Sequence, residues 1–136
     1  MSPAVRVSRR ESFNAAHVLR DDALSHEENL RIYGKCVNLH GHNYEVEVTV
    51  EGDVDATGYV MDLKALSDVI CSEVIQHVDH RNLNTDVDWL AGVMPTAENL
   101  AIAFWARLEP ALPPGLLQSV RVGETDKNWA ECVRRD

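Results

Sequence analysis

Residues 43–51 read NYEVEVTVE. Tyr44, Val46, Val48 and Val50 alternate with Glu45, Glu47, Thr49 and Glu51. A period of two, with one apolar and one charged set, describes an antiparallel strand that packs one face on a core and leaves the other wet. The flanking sequence is read against this strand. Residues 4–13, AVRVSRRESF, mix apolar and basic side chains as a first strand can. Residues 18–35 between them are polar and read as a long irregular connection, a feature that in small domains is usually functional. After a turn over 52–61, Asp62 is placed to cap a helix over 63–77, with Leu63, Leu66, Ile70 and Val74 on one face. Thr96 caps a second helix that carries Leu100, Phe104 and Leu108 and ends near Glu109, before Pro110, Pro113, Pro114 and Gly115. Residues 118–125 and 128–134 form a closing hairpin. The order is strand, strand, helix, helix, strand, strand. The simplest packing is an α+β domain, a four-stranded antiparallel sheet with two helices on one face.

The 136 residues are 45% hydrophobic and 26% charged, enough for one domain spanning 1–136 with a single core. A formal charge of −9 opposes nucleic-acid binding, which needs a cationic surface, but leaves room for a local basic pocket on a small anionic substrate. No apolar run reaches the roughly 18–20 residues of a membrane helix, and the N-terminal residues lack a signal-peptide core, so the cytoplasm is the expected location. Cys36, Cys71 and Cys132 form no CxxC pair and no disulfide framework. Cys71 and Cys132 read as small hydrophobes.

Cys36 differs, because it lies in GKCVNLHGHNY, residues 34–44, beside a lysine and just ahead of two histidines. His40 and His42 fall on one side if the extended backbone reaches back to them, and Gly41 keeps the position between them uncrowded. A pair of surface histidines bonded to water would have the same spacing. His17, after SFNAA, is a third candidate that pairing of adjacent strands could bring beside them. Three imidazoles with one open position suit a catalytic zinc ion. Cys36 as a fourth ligand would close the tetrahedron, so the thiol is read as a base near the metal. Asp79 and His80, in VDHRNLN, have base-plus-orienter character, or else cap the helix. His26 and His77 read as solvent-facing. Glu98 sits in the first turn of the second helix, where the dipole favours a carboxylate. Glu124, in VGETDKN, is at a strand end or is held there to grip a planar N–H/NH2 edge.

Together and in this order, SRRESFNAAH, ENLRIYGKC, HGHNYEVEVTVEG, VDHRNLN, PTAENLA and VGETD resemble the 6-pyruvoyl-tetrahydropterin synthase / 6-carboxytetrahydropterin synthase family over nearly the whole chain. The resemblance implies Zn2+ on His17, His40 and His42, catalysis by Cys36 with Asp79 and His80, and a pterin pocket formed by Glu124 with Thr96 and Glu98. It also implies the tunnelling fold, assembled as trimers that stack into hexamers with pterin sites between subunits, and 7,8-dihydroneopterin triphosphate as substrate. Lys35, Arg31 and Arg81 are candidates by position for holding the triphosphate. Cys36 precedes His40 by the short CxxxHGH interval; in pyruvoyl members it resembles CNNPNGHGH. The short form points to 6-carboxytetrahydropterin, with acetaldehyde and triphosphate released, on the queuosine/deazapurine branch. The long RDDALSHEENLRIYGK segment resembles the alternative, 6-pyruvoyl-tetrahydropterin synthase of the biopterin branch. A non-catalytic zinc- or pterin-binding oligomer leaves Cys36, Asp79, His80 and Glu124 unexplained, and a zinc hydrolase lacks an HExxH helix.

Overall fold

A computed structural model describes residues 3–135. Strand β1 (Val5–His17) and strand β2 (His40–Gly52) pair antiparallel from Val5↔Gly52 to His17↔His40, with no break. β2 then pairs with β4 (Leu117–Thr125), and β4 with β5 (Asn128–Val133), both antiparallel. The alternation of residues 43–51 is realised as expected. Tyr44, Val46, Val48 and Val50 are fully buried, while the intervening glutamates face the open side of the sheet. On that side Arg10 pairs with Glu45 and Glu47, Arg6 with Glu51, and Arg121 stacks on the Trp129 indole.

The sheet departs from four antiparallel strands by one short addition. β3 (Arg81–Asn82) pairs parallel with Ala15 and Ala16 at the β1 edge, giving the order β3-β1-β2-β4-β5. Two residues carry no periodicity, so no sequence pattern could announce this strand.

Both expected helices cover the inner face. The first starts at Leu63, where Asp62 accepts from the Lys64 amide, and runs as α2 (Leu63–Ile70), a π turn (Cys71–Ile75) and α3 (Gln76–Val78). Its buried row is Leu66, Ile70, Val74 and Val78, spaced by four throughout. An α-helix turns every 3.6 residues, so such a row drifts around it, and the wider π turn brings it back over the sheet. The second helix, α4 (Ala97–Leu108), is capped by Thr96, whose hydroxyl accepts from the Asn99 amide, and buries Leu100, Phe104 and Leu108.

The connection over 18–35 is not irregular. It contains helix α1 (His26–Tyr33), followed by a 3-10 turn (Gly34–Val37). Ser25 caps the helix: its hydroxyl accepts from the Glu28 amide and donates to the Glu28 carboxylate. Polarity hid this helix, because its one buried side chain is Asn29. That amide bonds the backbone of Asp21 on both its oxygen and nitrogen sides, and also the Ser25 carbonyl. A polar hub therefore replaces an apolar stripe. Among the described residues no helix is long and apolar enough to cross a membrane.

Phe104 packs edge-on against both Phe13 and Trp89, linking α4 to the sheet. Phe104→Ala is expected to cost about 3–5 kcal/mol. Urea unfolding of the variant beside the parent measures it.

Candidate metal and substrate site

The β1–β2 register sets His17 opposite His40 and Ala15 opposite His42. Alternation turns all three histidines to the helix-covered side, and their ring centroids lie 4.6, 5.0 and 5.1 Å apart. One ring nitrogen from each falls within 4.8 Å of the others. Between His40 and His42 the backbone runs close to β1, where a Cβ on Gly41 would stand 3.2 Å from the Ala15 carbonyl oxygen.

Backbone carbonyls fix the tautomers. His17 Nδ1 is 2.8 Å from the Pro95 oxygen, and His40 Nδ1 is 2.7 Å from the Asn38 oxygen. A carbonyl only accepts, so each Nδ1 carries the proton and each Nε2 keeps its lone pair. His42 Nε2 is buried with no hydrogen-bond partner. Glu124 Oε2 lies 3.3 Å from it, near enough for ionic attraction but not oriented for a hydrogen bond. An orphaned buried nitrogen is costly, and a metal ion would satisfy it. Burial holds the pKa of His17 and of His42 below the ordinary value. Three imidazoles with one ring nitrogen each gathered at one point fit zinc. Beneath them Tyr44 is fully buried and stacked on Phe13 at 4.7 Å, its phenol pKa pushed far up by burial and then by Glu124.

Cys36 is half-buried on the 3-10 turn, not on an open loop, and is outside the cluster of donor atoms. Its carbonyl accepts from the Leu19 amide at 2.8 Å, which ties the turn to the chain just past His17. Asp79 and His80 come together as expected, with Oδ1 and Nδ1 3.0 Å apart. The Asn14 amide donates to Asp79 and is the first cause of that carboxyl's lowered pKa, while the His80 amide donates to the Asn14 carbonyl. His80 has φ +60°, a left-handed backbone that strains a non-glycine residue and turns its ring outward, 82% exposed. Among the described residues no hydrogen bond joins Cys36 to Asp79 or His80 within one chain.

Thr96 acts as the α4 cap, and the preceding Pro95 carbonyl is what holds His17. Glu98 points to solvent in the first turn of α4, apart from the histidines. His77, expected in solvent, is instead half-buried between the Ser72 carbonyl and Arg107. Cys71 and Cys132 are half-buried, and Cys132 packs on the core. Sequence reasoning passed over Tyr44 as a mere core residue and missed Asn14; both lie in the quoted motifs, but which groups they touch depends on pairing of distant strands.

Residues 6–135 match the family model for 6-pyruvoyl tetrahydropterin synthase. The chain belongs to that family. It is 49% identical over 126 residues to human 6-pyruvoyl tetrahydrobiopterin synthase, covering 90% of this chain and 87% of the human one. Against a putative 6-carboxy-5,6,7,8-tetrahydropterin synthase of Archaeoglobus fulgidus the identity is 34% over 124 residues, 90% of each chain. The solved 6-pyruvoyl tetrahydropterin synthase of Caenorhabditis elegans superposes with a TM-score of 0.90 at 40% identity, covering 98% of this chain and 97% of that one. The family is one of pterin synthase lyases.

Burial of His17 and His42 sets a pH dependence. Their folded pKa values lie below the ordinary 6.5, so as pH falls past that value the unfolded chain binds protons that the folded chain refuses. Stability of the metal-free protein is therefore expected to be full above about pH 7.5 and to decline toward pH 5. Urea midpoints of wild type and His17→Asn across that range check it, with a shallower decline expected for the variant.

Proposed function

We propose that this synthase-family member is a zinc-dependent 6-pyruvoyl-tetrahydropterin synthase, which eliminates triphosphate from 7,8-dihydroneopterin triphosphate. The observation that carries the reading is the identity of 49% to the human pyruvoyl enzyme over most of both chains, against 34% to the carboxy relative. The sequence-based preference for the carboxy product rested on the short interval between Cys36 and His40. That interval is taken up by a 3-10 turn and two further residues, which join two anchored elements and do not themselves select a product. The 6-carboxy reading is the less supported one.

His17, His40 and His42 would hold the zinc ion, which when bound supplies Lewis acidity to the side-chain oxygens of the substrate. The Glu124 carboxylate is suited to the N–H and NH2 edge of the pterin, and its place beside His42 sets the ring next to the metal. Cys36, as thiolate, takes the proton from the side-chain carbon beside the ring. His80, oriented by Asp79, relays protons to the ring, which is reduced by the two hydrogens that the side chain loses. No external oxidant is needed. The next side-chain carbon, acidified by the new carbonyl, then loses its proton as the triphosphate leaves with the electron pair of its C–O bond, and the resulting enol takes up a proton at its terminal carbon to become the second ketone.

In this reading the substrate site lies between subunits of a hexamer built from two trimers. The outward-turned, 82% exposed His80 supports it, as does the lack of any hydrogen bond from His80 to Cys36 of its own chain. The unpaired outer edges of β5 and of most of β1 offer places for strand pairing between copies.

The test is mass spectrometry of products from zinc-loaded protein and 7,8-dihydroneopterin triphosphate with an acetaldehyde trap. A pyruvoyl product without acetaldehyde is expected; trapped acetaldehyde with the carboxy product would overturn the assignment. Cys36→Ala is expected to keep its zinc, by metal analysis, and to lose about a hundredfold or more in turnover.

A further inference from the structure

The chain carries −9, so a polyanionic substrate meets a repulsive overall field and needs cations held locally. Most of the arginines cannot serve. Six of them (Arg6, Arg9, Arg10, Arg20, Arg107 and Arg134) are held in ion pairs with carboxylates, and Arg121 lies on Trp129. Arg31 and Lys35 are different. Both are exposed, and among the described residues neither side chain makes a hydrogen bond or an ion pair.

Their backbone is nevertheless anchored to the site. The Gly34 amide closes α1 on the Leu30 carbonyl. The Lys35 carbonyl accepts from the Asn38 amide at 3.0 Å, and the Asn38 carbonyl accepts from His40 Nδ1 at 2.7 Å. Lys35 is thus two hydrogen bonds from a metal-site imidazole and adjacent to Cys36. The buried Asn29 hub fixes the other end of α1. Two unpaired cations therefore stand on a hydrogen-bonded segment whose far end is the turn that carries Cys36. Of the other unpaired cations, Lys127 stands on the exposed turn between β4 and β5, beyond Glu124, but among the described residues no hydrogen bond ties that turn to the segment carrying Cys36. Arg81 is close enough to Asp86 to lower its pKa. Lys64 and Arg135 follow the Gly52 end of β2 and the Val133 end of β5, at the opposite end of the sheet from His40.

We propose that Arg31 and Lys35 bind the triphosphate of the substrate and hold the leaving group beside the turn that carries Cys36. Arg31 offers a planar fork to two phosphate oxygens and Lys35 a compact charge. The inference rests on the reading that the substrate is a pterin triphosphate.

Neopterin triphosphate and neopterin are non-reacting fluorescent probes that differ only in the phosphates. Both are titrated into zinc-loaded wild type, R31A/K35A and the control K64A/R135A, which loses the same charge at the other end of the sheet. Wild type and control are expected to bind the triphosphate about tenfold or more tighter than neopterin, and R31A/K35A to lose that preference while keeping its neopterin affinity and zinc content. If R31A/K35A keeps the preference, or if the control loses it equally, the assignment of these two residues is wrong while the proposed function stands. Loss of neopterin affinity or zinc in R31A/K35A would give the segment a scaffold role and overturn the assignment as well. If wild type binds neither probe, the pterin reading fails and this inference with it.

Discussion

The register of β1 on β2 is the constraint on which the rest depends. The same ladder that sets His17 across from His40 sets Phe13 across from Tyr44 and Val7 across from Val50. Sliding one strand by a residue would carry Tyr44, Val46, Val48 and Val50 to the open face and replace them in the core with Glu45, Glu47, Thr49 and Glu51. Each of those apolar side chains contributes about 1.5–3 kcal/mol by leaving water. The core therefore enforces the register, and the register assembles the histidines. No separate stabilising interaction is required to bring the histidines together. The site is a by-product of the alternation that also makes the sheet.

What the ladder does not fix is the orientation of each ring, and here distant segments act through backbone carbonyls. Pro95 lies at the start of α4, 78 positions from His17, and its carbonyl reaches His17 only because Thr96 caps that helix and Leu100 and Phe104 seat it on the sheet. Asn38 does the same for His40 from the turn that carries Cys36. Packing of a helix thereby becomes a choice of tautomer, and that choice leaves the Nε2 lone pairs facing inward.

Much of this was legible in the sequence, for physical reasons. The alternation over 43–51, the caps Asp62 and Thr96, and the pair His40 and His42 are local patterns of one strand or helix, and each appears where its letters put it. His17 joins the set on the supposition that β1 lies beside β2, which a β-β order favours on topology alone. The failures have causes too. Helix α1 buries an asparagine, so hydropathy is silent, and only Ser25 and Glu28 mark its start. β3 is too short to show a period. His77 gave no sign of its partners because Arg107 comes from another helix, 30 positions away. The carbonyl partners of His17 and His40 carry no side-chain signature, since any residue has a carbonyl.

The product question divides along the same line. A spacing such as that between Cys36 and His40 reports on the chain that must be fitted between two anchors. One anchor is the contact of Cys36 with Leu19, and the other is the start of β2. Shortening or lengthening the turn between them leaves both anchors in place, so spacing can vary while the chemistry at the ends does not. In the proposed reading the three imidazoles and the thiol would serve proton removal and carbonyl polarisation in either reaction. The outcomes differ later, in whether the side chain loses only its triphosphate or also breaks a carbon–carbon bond, and that depends on what surrounds the side chain beyond the metal. Similarity over the whole chain samples those surroundings, whereas four letters of loop do not. That is why 49% identity over 126 residues outweighs the interval between one cysteine and one histidine.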